Sequence, residues 1–226
     1  MSGQRDEDVR VLQASPAELV GAARALVADD RRTILGITGA PGAGKSTLAE
    51  LVVAELGTSA VLVGMDGFHL SDPELRRLGR WERKGAADTF DAAGYVHLLR
   101  RLRSREDDVV YAPVFDRAQE QSIGSAVPVP ASVPLVVTEG NYLLAEEPPW
   151  SEIRGLLDAC WYVDPGEDVR VEWLIARHLR YGRTEADAQR RSHGSDGTNA
   201  RLVQATRHRA SMIVQVVERP GRPRSG

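Results

Sequence analysis

The sequence predicts an α/β fold of three layers, in which a parallel sheet is covered by helices on both faces. Four runs are apolar throughout instead of alternating, which is typical of strands buried on both sides. Amphipathic segments at helical spacing separate these runs, as expected for parallel strands joined by crossovers. The chain has 226 residues, 42% of them hydrophobic, which is enough for one domain with a single sizeable core.

The first half of the chain contains two of the buried runs. Ser15 and Glu18 form a predicted capping box with Pro16 at the first helical position, so a helix is expected to begin there. The strand "TILGIT" is followed by a glycine-rich turn, the helix "STLAELVVAEL" and the strand "AVLVGM". Asp91 is then expected to cap the amphipathic helix that runs to Ser104.

The second half repeats the alternation of strands and helices. Two apolar strands, "VPLVVTEG" and "ACWYVD", precede the long helix "PGEDVRVEWLIARHLRYG", which Gly182 is expected to end. Two helical stretches, "TEADAQRRS" and "TNARLVQATRHRA", and a last strand, "SMIVQVV", follow. We therefore expect a flexible N-terminus over 1–14, a single domain over 15–216 and a disordered tail over 217–226.

Composition narrows the class of protein. The net charge of -3 gives no indication of a nucleic-acid partner. Cys160 is the one cysteine, which excludes an intrachain disulfide. No stretch approaches the roughly 20 apolar residues that span a membrane, and the polar N-terminus lacks a signal region. We expect a cytoplasmic protein with no membrane partner, and a homodimer is left open.

The glycine-rich turn "GAPGAGKS" matches G-x-x-x-x-G-K-[ST] at every fixed position, between a strand and a helix. Glycines let successive backbone N–H groups point at one anion, and the helix N-terminus adds partial positive charge. Lys45 is expected to reach the β- and γ-phosphates, Ser46 to offer an oxygen to Mg²⁺ and Thr47 to reach the α-phosphate. The motif predicts a P-loop NTPase fold that binds a nucleoside triphosphate with Mg²⁺, and ATP is the expected nucleotide. The expected nucleotide-binding residues are Gly39, Ala40, Pro41, Gly42, Ala43, Gly44, Lys45, Ser46 and Thr47.

Two acids follow two of the predicted strands. Asp66 comes after "AVLVGM" and Glu139 after "VPLVVT", so both are expected at the carboxyl edge of the sheet, where ligands bind in such folds. Asp66 either accepts the proton of an attacking hydroxyl or helps to hold Mg²⁺ through water. Glu139 either holds Mg²⁺ through water or bonds a substrate hydroxyl. The γ-phosphate goes either to water or to a small molecule.

Six motifs occur in the order found in one superfamily: "GAPGAGKST", "MDGFHL", "RKGAADTFD", "YAPVFDR", "VVTEGNYLL" and "YVDPGEDVRVEWLIARHLRYGRT". Over about residues 30–215 the chain resembles the P-loop small-molecule kinases, which include uridine kinase, phosphoribulokinase and bacterial pantothenate kinase. It is most similar to bacterial nucleoside/nucleotide kinase family proteins and fructose-type sugar kinases. The resemblance implies transfer of the ATP γ-phosphate to a hydroxyl of a nucleoside, a sugar or a pantothenate-like metabolite. The alternative is a P-loop ATPase or nucleotide-sensing regulator without an acceptor.

The resemblance also implies roles for particular residues. Asp66 matches the catalytic base, and Glu139 matches an acid near metal and substrate. Arginines at the start of a helical lid, over about 177–200, reach the transferring phosphate, with Arg177, Arg180 and Arg183 as candidates. The catalytic set is then Asp66, Lys45, Arg177 and Arg183, and the metal set is Ser46, Glu139 and Asp66. The substrate-binding set is Asp66, Phe68, His69, Lys84, Asp91, Arg117, Glu139, Asn141 and Tyr142.

The chain departs from its look-alikes around the acceptor. Gly67 and His69 stand where uridine kinases usually have Ser and Tyr. The "D-G-F" form is nearer to pantothenate kinase, but this chain lacks the long extra segments of that enzyme. The identity of the acceptor is therefore not inferred from either uridine kinase or pantothenate kinase.

Overall fold

The computed structural model describes residues 9–28 and 30–217. Its strands are β1 (Val11–Ala14), β2 (Thr33–Thr38), β3 (Ala60–Gly64), β4 (Val109–Asp116), β5 (Gln121–Pro130), β6 (Leu135–Glu139), β7 (Ala159–Val163) and β8 (Met212–Val216). Its α-helices are α1 (Pro16–Arg24), α2 (Lys45–Leu56), α3 (Asp72–Arg77), α4 (Ala92–Ser104), α5 (Glu167–Arg180), α6 (Glu185–His193) and α7 (Ser195–Ala205).

Six of the strands form one parallel sheet in the order β1-β8-β7-β2-β6-β3. Strands β2, β6 and β7 are buried along their whole length, which explains why their sequences are apolar without alternation. Because all six strands run the same way, the loops after β2, β3 and β6 open on one edge of the sheet. The glycine-rich motif, Asp66 and Glu139 lie at this edge.

The core lies on both faces of the sheet. Helices α1 and α2 cover one face through Leu19, Leu48 and Val52. Helix α4 covers the other face through Tyr95 and Leu99. This arrangement confirms the predicted three-layer α/β fold. No helix within the described ranges is both long and apolar enough to cross a bilayer.

Several local signals act as predicted. The capping box of Ser15 and Glu18 is present, with Pro16 in the first turn of α1. The Asp91 carboxylate accepts a hydrogen bond from the Gly94 amide and caps α4. Helix α5 ends at Arg180, and Gly182 follows with a φ of 80°.

The expectation of a flexible segment over 1–14 is wrong for residues 11–14. Residues 11–14 form the edge strand β1, which pairs in parallel with β8. Ala14 is buried against the face that α1 covers, so apolar packing orders this strand. Residues 1–8 lie outside the described residues. So does the predicted tail except Val217, whose amide donates to the Ala14 carbonyl oxygen.

A second sheet was not predicted from the sequence. Strands β4 and β5 form an antiparallel hairpin of their own, with a register shift between Ala112 and Val114. The turn of the hairpin is held by Asp116, whose carboxylate accepts hydrogen bonds from the Ala118 and Gln119 amides. This turn places Arg117 over the carboxyl edge of the main sheet.

Candidate active site

The loop between β2 and α2 has the shape that the glycine-rich motif requires. Gly39 has a φ of 148° and Gly42 a φ of 86°, values that side chains disfavour. A Cβ at Gly39 would lie 2.6 Å from the Val163 carbonyl oxygen, and one at Gly42 would lie 2.7 Å from that of Arg170. The loop therefore packs closely against β7 and α5, and only glycine fits at either position.

Lys45 opens α2 and is buried, with Nζ donating a hydrogen bond of 3.0 Å to the Ala40 carbonyl oxygen. Burial lowers the pKa of the lysine, while the nearby Glu139 carboxylate opposes the shift. The ammonium group has no hydrogen-bonded carboxylate among the described residues. It is thus held in the loop by a neutral oxygen and remains available to phosphate oxygens.

The two predicted acids lie at the same edge of the sheet. Gly64 of β3 pairs with Glu139 of β6, and Asp66 follows two residues later in a 3-10 turn over Met65–Phe68. Glu139 is buried. Burial raises the pKa of Glu139, the Asp66 charge raises it further, and Lys45 opposes both. Two carboxylates therefore lie near one lysine at the end of the phosphate loop.

Two clefts adjoin at this edge. The first, of about 630 Å³, contains Asp66 and the acceptor segments, and the second, of about 580 Å³, follows the phosphate loop along α5. The residues common to both are Lys45, Ser46, Arg117, Arg177 and Tyr181. A molecule in one cleft can thus reach a molecule in the other beside Lys45.

His69 forms the aromatic wall of the first cleft. Its ring lies 4.0 Å from that of Phe90 and 4.7 Å from that of Phe115, measured between centroids. The His69 Nδ1 lies 2.9 Å from the Asp66 carbonyl oxygen, so this nitrogen carries the proton and donates a hydrogen bond to that oxygen. Burial lowers the pKa of the imidazole, which favours the neutral ring.

The hairpin brings a cation to Asp66. Arg117 Nη2 lies 3.2 Å from the Asp66 carboxylate, and both side chains are partly exposed. Lys84 also lines this cleft and donates to Asp72 and to the carbonyl oxygen of Glu120 in the same hairpin turn, each at 2.7 Å. The acid predicted as a base is therefore the partner of an arginine from another sheet.

Helix α5 and the helices after it close the far side of the clefts. Arg177 lies in both clefts, and burial lowers the pKa of its guanidinium. His178 Nε2 lies 2.9 Å from the Asp196 carboxylate of α7. Asn199 of α7 donates to the Gly85 carbonyl oxygen, which also accepts a hydrogen bond from Tyr142. These contacts join the predicted lid to the acceptor segment.

The first cleft brings together most of the predicted acceptor and catalytic residues. Those that line it are Lys45, Ser46, Asp66, His69, Lys84, Arg117, Glu139, Asn141, Arg177 and Arg183. Thr47 and Arg180 line the second cleft instead.

Three residues predicted to bind substrate, Phe68, Asp91 and Tyr142, do not line the first cleft. Phe68 packs on the ring of Tyr95, 5.0 Å away between centroids. Asp91 is used as the cap of α4. Tyr142 is buried, and its hydroxyl is used by Gly85. Each of these side chains is thus engaged elsewhere, Phe68 and Tyr142 in packing or hydrogen bonding to distant segments and Asp91 in a local helix cap.

Sequence reasoning missed several lining residues. Arg191, Asp196 and Asn199 reach the first cleft from α6 and α7, and Trp173 lines the second. The signal for Trp173 was its spacing of four residues from Arg177 on one helix, which puts both on one face. For the other three there was no local signal, since their direction depends on how α6 and α7 pack.

Comparison with known proteins places this geometry in a family. Residues 34–220 match the sequence model described as "Phosphoribulokinase / Uridine kinase family". A candidate uridine kinase of Schizosaccharomyces pombe is 32% identical over 209 residues, covering 88% of this chain and 89% of the relative. A pantothenate kinase of Mycolicibacterium gilvum is 28% identical over 205 residues, covering 85% of this chain and 64% of the relative.

A solved structure is similar along almost its entire length. The crystal structure of a candidate fructose transport system kinase from Silicibacter sp. TM1040 superposes with a TM-score of 0.80 at 32% identity. The match covers 88% of this chain and 98% of that chain. Sequence and fold therefore agree with those of kinases whose named acceptors differ from one another.

Proposed function

Because this chain belongs to the phosphoribulokinase/uridine kinase family, we propose that it transfers the γ-phosphate of ATP to a hydroxyl group of a small metabolite. The observation that carries the proposal is the pair of adjoining clefts that share Lys45 and Arg177, with Asp66 in the first cleft only. ATP occupies the second cleft and the acceptor occupies the first. Nucleosides, sugars and pantothenate-like molecules are the acceptor classes considered.

In this proposal the phosphate loop binds the β- and γ-phosphates through its backbone amides and Lys45. Asp66 takes the proton of the acceptor hydroxyl while that oxygen forms its bond to the γ-phosphorus. The bond between the γ-phosphorus and the bridging oxygen breaks, and ADP leaves. Arg177 and Arg183 offset the charge on the transferring group.

The donor set at the sheet edge fits Mg²⁺. Ser46 offers a hydroxyl oxygen and Glu139 a buried carboxylate, and Mg²⁺ prefers such oxygen ligands together with phosphate oxygens. The raised pKa of Glu139, which burial and Asp66 cause, indicates a position where a cation would stabilise the ionised form. The described residues contain no cluster of three or more His, Cys, Asp or Glu side chains that could hold a metal, so phosphate oxygens would complete the shell. When bound, the metal neutralises charge on the β- and γ-phosphates.

The test is ADP release measured with and without a panel of hydroxylated metabolites. A kinase releases ADP faster with its acceptor, whereas an ATPase or a nucleotide-sensing regulator without an acceptor does not respond to any. Asp66→Asn is expected to lower acceptor-dependent turnover by about 10²–10⁴-fold, the usual contribution of a general base, while ATP still binds. Normal turnover in that variant would refute the role of Asp66.

A further inference from the structure

The charges that line the first cleft are mostly paired with one another. Lys84 is bound to Asp72, Arg117 to Asp66 and His178 to Asp196. Lys45 and Arg177 also face the nucleotide cleft and are assigned to the triphosphate. Two guanidinium groups, those of Arg183 and Arg191, line only the first cleft.

Arg191 lies on α6, and its side chain is partly buried. Within residues 9–28 and 30–217 it makes no hydrogen bond or ion pair through its guanidinium. The preceding Arg190 differs in this respect, since it turns to the surface and pairs with Asp187 on the same helix. Arg191 is therefore a cation that α6 directs toward the acceptor without a protein counterion.

We infer that Arg191 binds an anionic group, a carboxylate or a phosphate, on the acceptor, an inference that rests on the proposed function. A guanidinium group matches both anions with two parallel hydrogen bonds. A neutral nucleoside or sugar offers no partner of that kind. Arg183 is assigned to the transferring phosphate, so a separate anionic group on the acceptor requires another arginine.

One carboxylate of the cleft offers an alternative partner for Arg191. Glu82 lines the same cleft, is exposed, and makes no ion pair among the described residues. If closure of the cleft brought Glu82 to Arg191, the arginine would hold the cleft closed through an ion pair and would not bind the acceptor directly. Glu82→Gln separates the two roles, because it removes the ion pair and leaves direct binding by Arg191 intact.

The experiment measures binding to the full chain loaded with ADP and Mg²⁺, so that the phosphate loop is filled. Isothermal titration uses matched anionic and neutral probes. The pairs are pantothenate with pantothenol, D-glycerate with glycerol, and fructose 6-phosphate with fructose, which also separate carboxylate from phosphate. We expect an anionic member to bind and its neutral counterpart to bind much more weakly.

Arg191→Gln is expected to weaken that binding by about 10- to 100-fold, as for a hydrogen-bonded charged group. Arg191→Lys should retain part of the affinity, and Arg190→Gln, the matched control one residue away, should retain all of it. The inference is overturned if no anionic probe binds, if the neutral counterpart binds equally well, or if Arg191→Gln behaves like Arg190→Gln. It is also overturned if Glu82→Gln weakens binding as much as Arg191→Gln does.

Phosphoryl transfer is then assayed with the same probes. Binding that depends on Arg191 without any transfer would leave the inference standing and refute the proposed kinase activity. Transfer to a neutral probe that is unaffected by Arg191→Gln would leave the kinase activity standing and refute the inference. The two claims therefore fail independently.

Discussion

Arg170 of α5 donates a hydrogen bond of 2.8 Å from Nη1 to the carbonyl oxygen of Pro41 in the phosphate loop. The same guanidinium holds Glu167 through two hydrogen bonds. Arg170 is buried, so this contact is shielded from water and fixes the loop to the helix that carries Arg177. The proposed nucleotide site and the start of the predicted lid are thus joined by a buried contact.

We predict that Arg170→Gln raises the KM for ATP about tenfold and changes kcat much less, because a buried hydrogen bond to the loop contributes roughly 1–3 kcal/mol. Steady-state kinetics with varied ATP measures the effect. Arg77→Gln is the matched control, since Arg77 forms the same kind of pair with Glu74 on the exposed face of α3. An unchanged KM in Arg170→Gln would contradict the positioning role.

The turn after β3 is pressed against the hairpin. A Cβ at Gly67 would lie 2.6 Å from the Pro113 carbonyl oxygen. We predict that Gly67→Ala lowers the free energy of unfolding by about 1–3 kcal/mol, as overpacking does, and impairs the acceptor site. Gly124→Ala is the control, because a Cβ there meets nothing within 4 Å. Chemical denaturation compares the two, and equal stability would show that the hairpin gives way without cost.

His69 should make stability depend on pH. Its folded pKa is lowered by burial, so below the ordinary value of about 6.5 the unfolded chain binds a proton that the folded chain binds less readily. Stability from this group is therefore present above pH 6.5 and is lost as pH falls. The wild-type Tm should fall more than that of His69→Gln between pH 7 and 5.5.

His208 provides the control for that titration. Its Nδ1 also bonds the carbonyl oxygen three residues before it, at the same 2.9 Å, but its side chain is 62% exposed. His208→Gln removes this exposed imidazole and leaves the buried one at His69 in place. If His208→Gln and His69→Gln flatten the slope equally, burial of His69 is not the cause.

Cys160 should be unreactive in the folded protein. It is buried in β7, and burial raises the pKa of its thiol to about 12. Since the thiolate is the reactive species, alkylation by iodoacetamide at pH 8 should be very slow in native buffer and fast in denaturant. The chain has no other cysteine, so mass spectrometry reads the site directly. Fast native labelling would indicate that β7 opens.

The elements that could be predicted are those whose signal is local. The capping box at Ser15, the cap at Asp91 and the glycine after α5 act over three or four residues. The uniformly apolar composition of the buried strands predicted by itself that they are buried on both sides. Strands β4 and β5 gave no comparable signal, because most residues of β5 are exposed and its pairing partner is only the neighbouring strand.

The sequence by itself determined the fold and the phosphate-binding half of the candidate site. The loop over 39–47 is contiguous. Asp66 and Glu139 lie just after or at the carboxyl ends of parallel strands, and these ends must share one edge of the sheet. Only the tertiary structure decided which side chains line the acceptor half. It engaged Phe68, Asp91 and Tyr142 elsewhere and brought in Arg191 and Asn199, because that wall is assembled from segments that lie far apart in the chain. Its composition therefore depends on how helices and a hairpin pack, which no short stretch of sequence records.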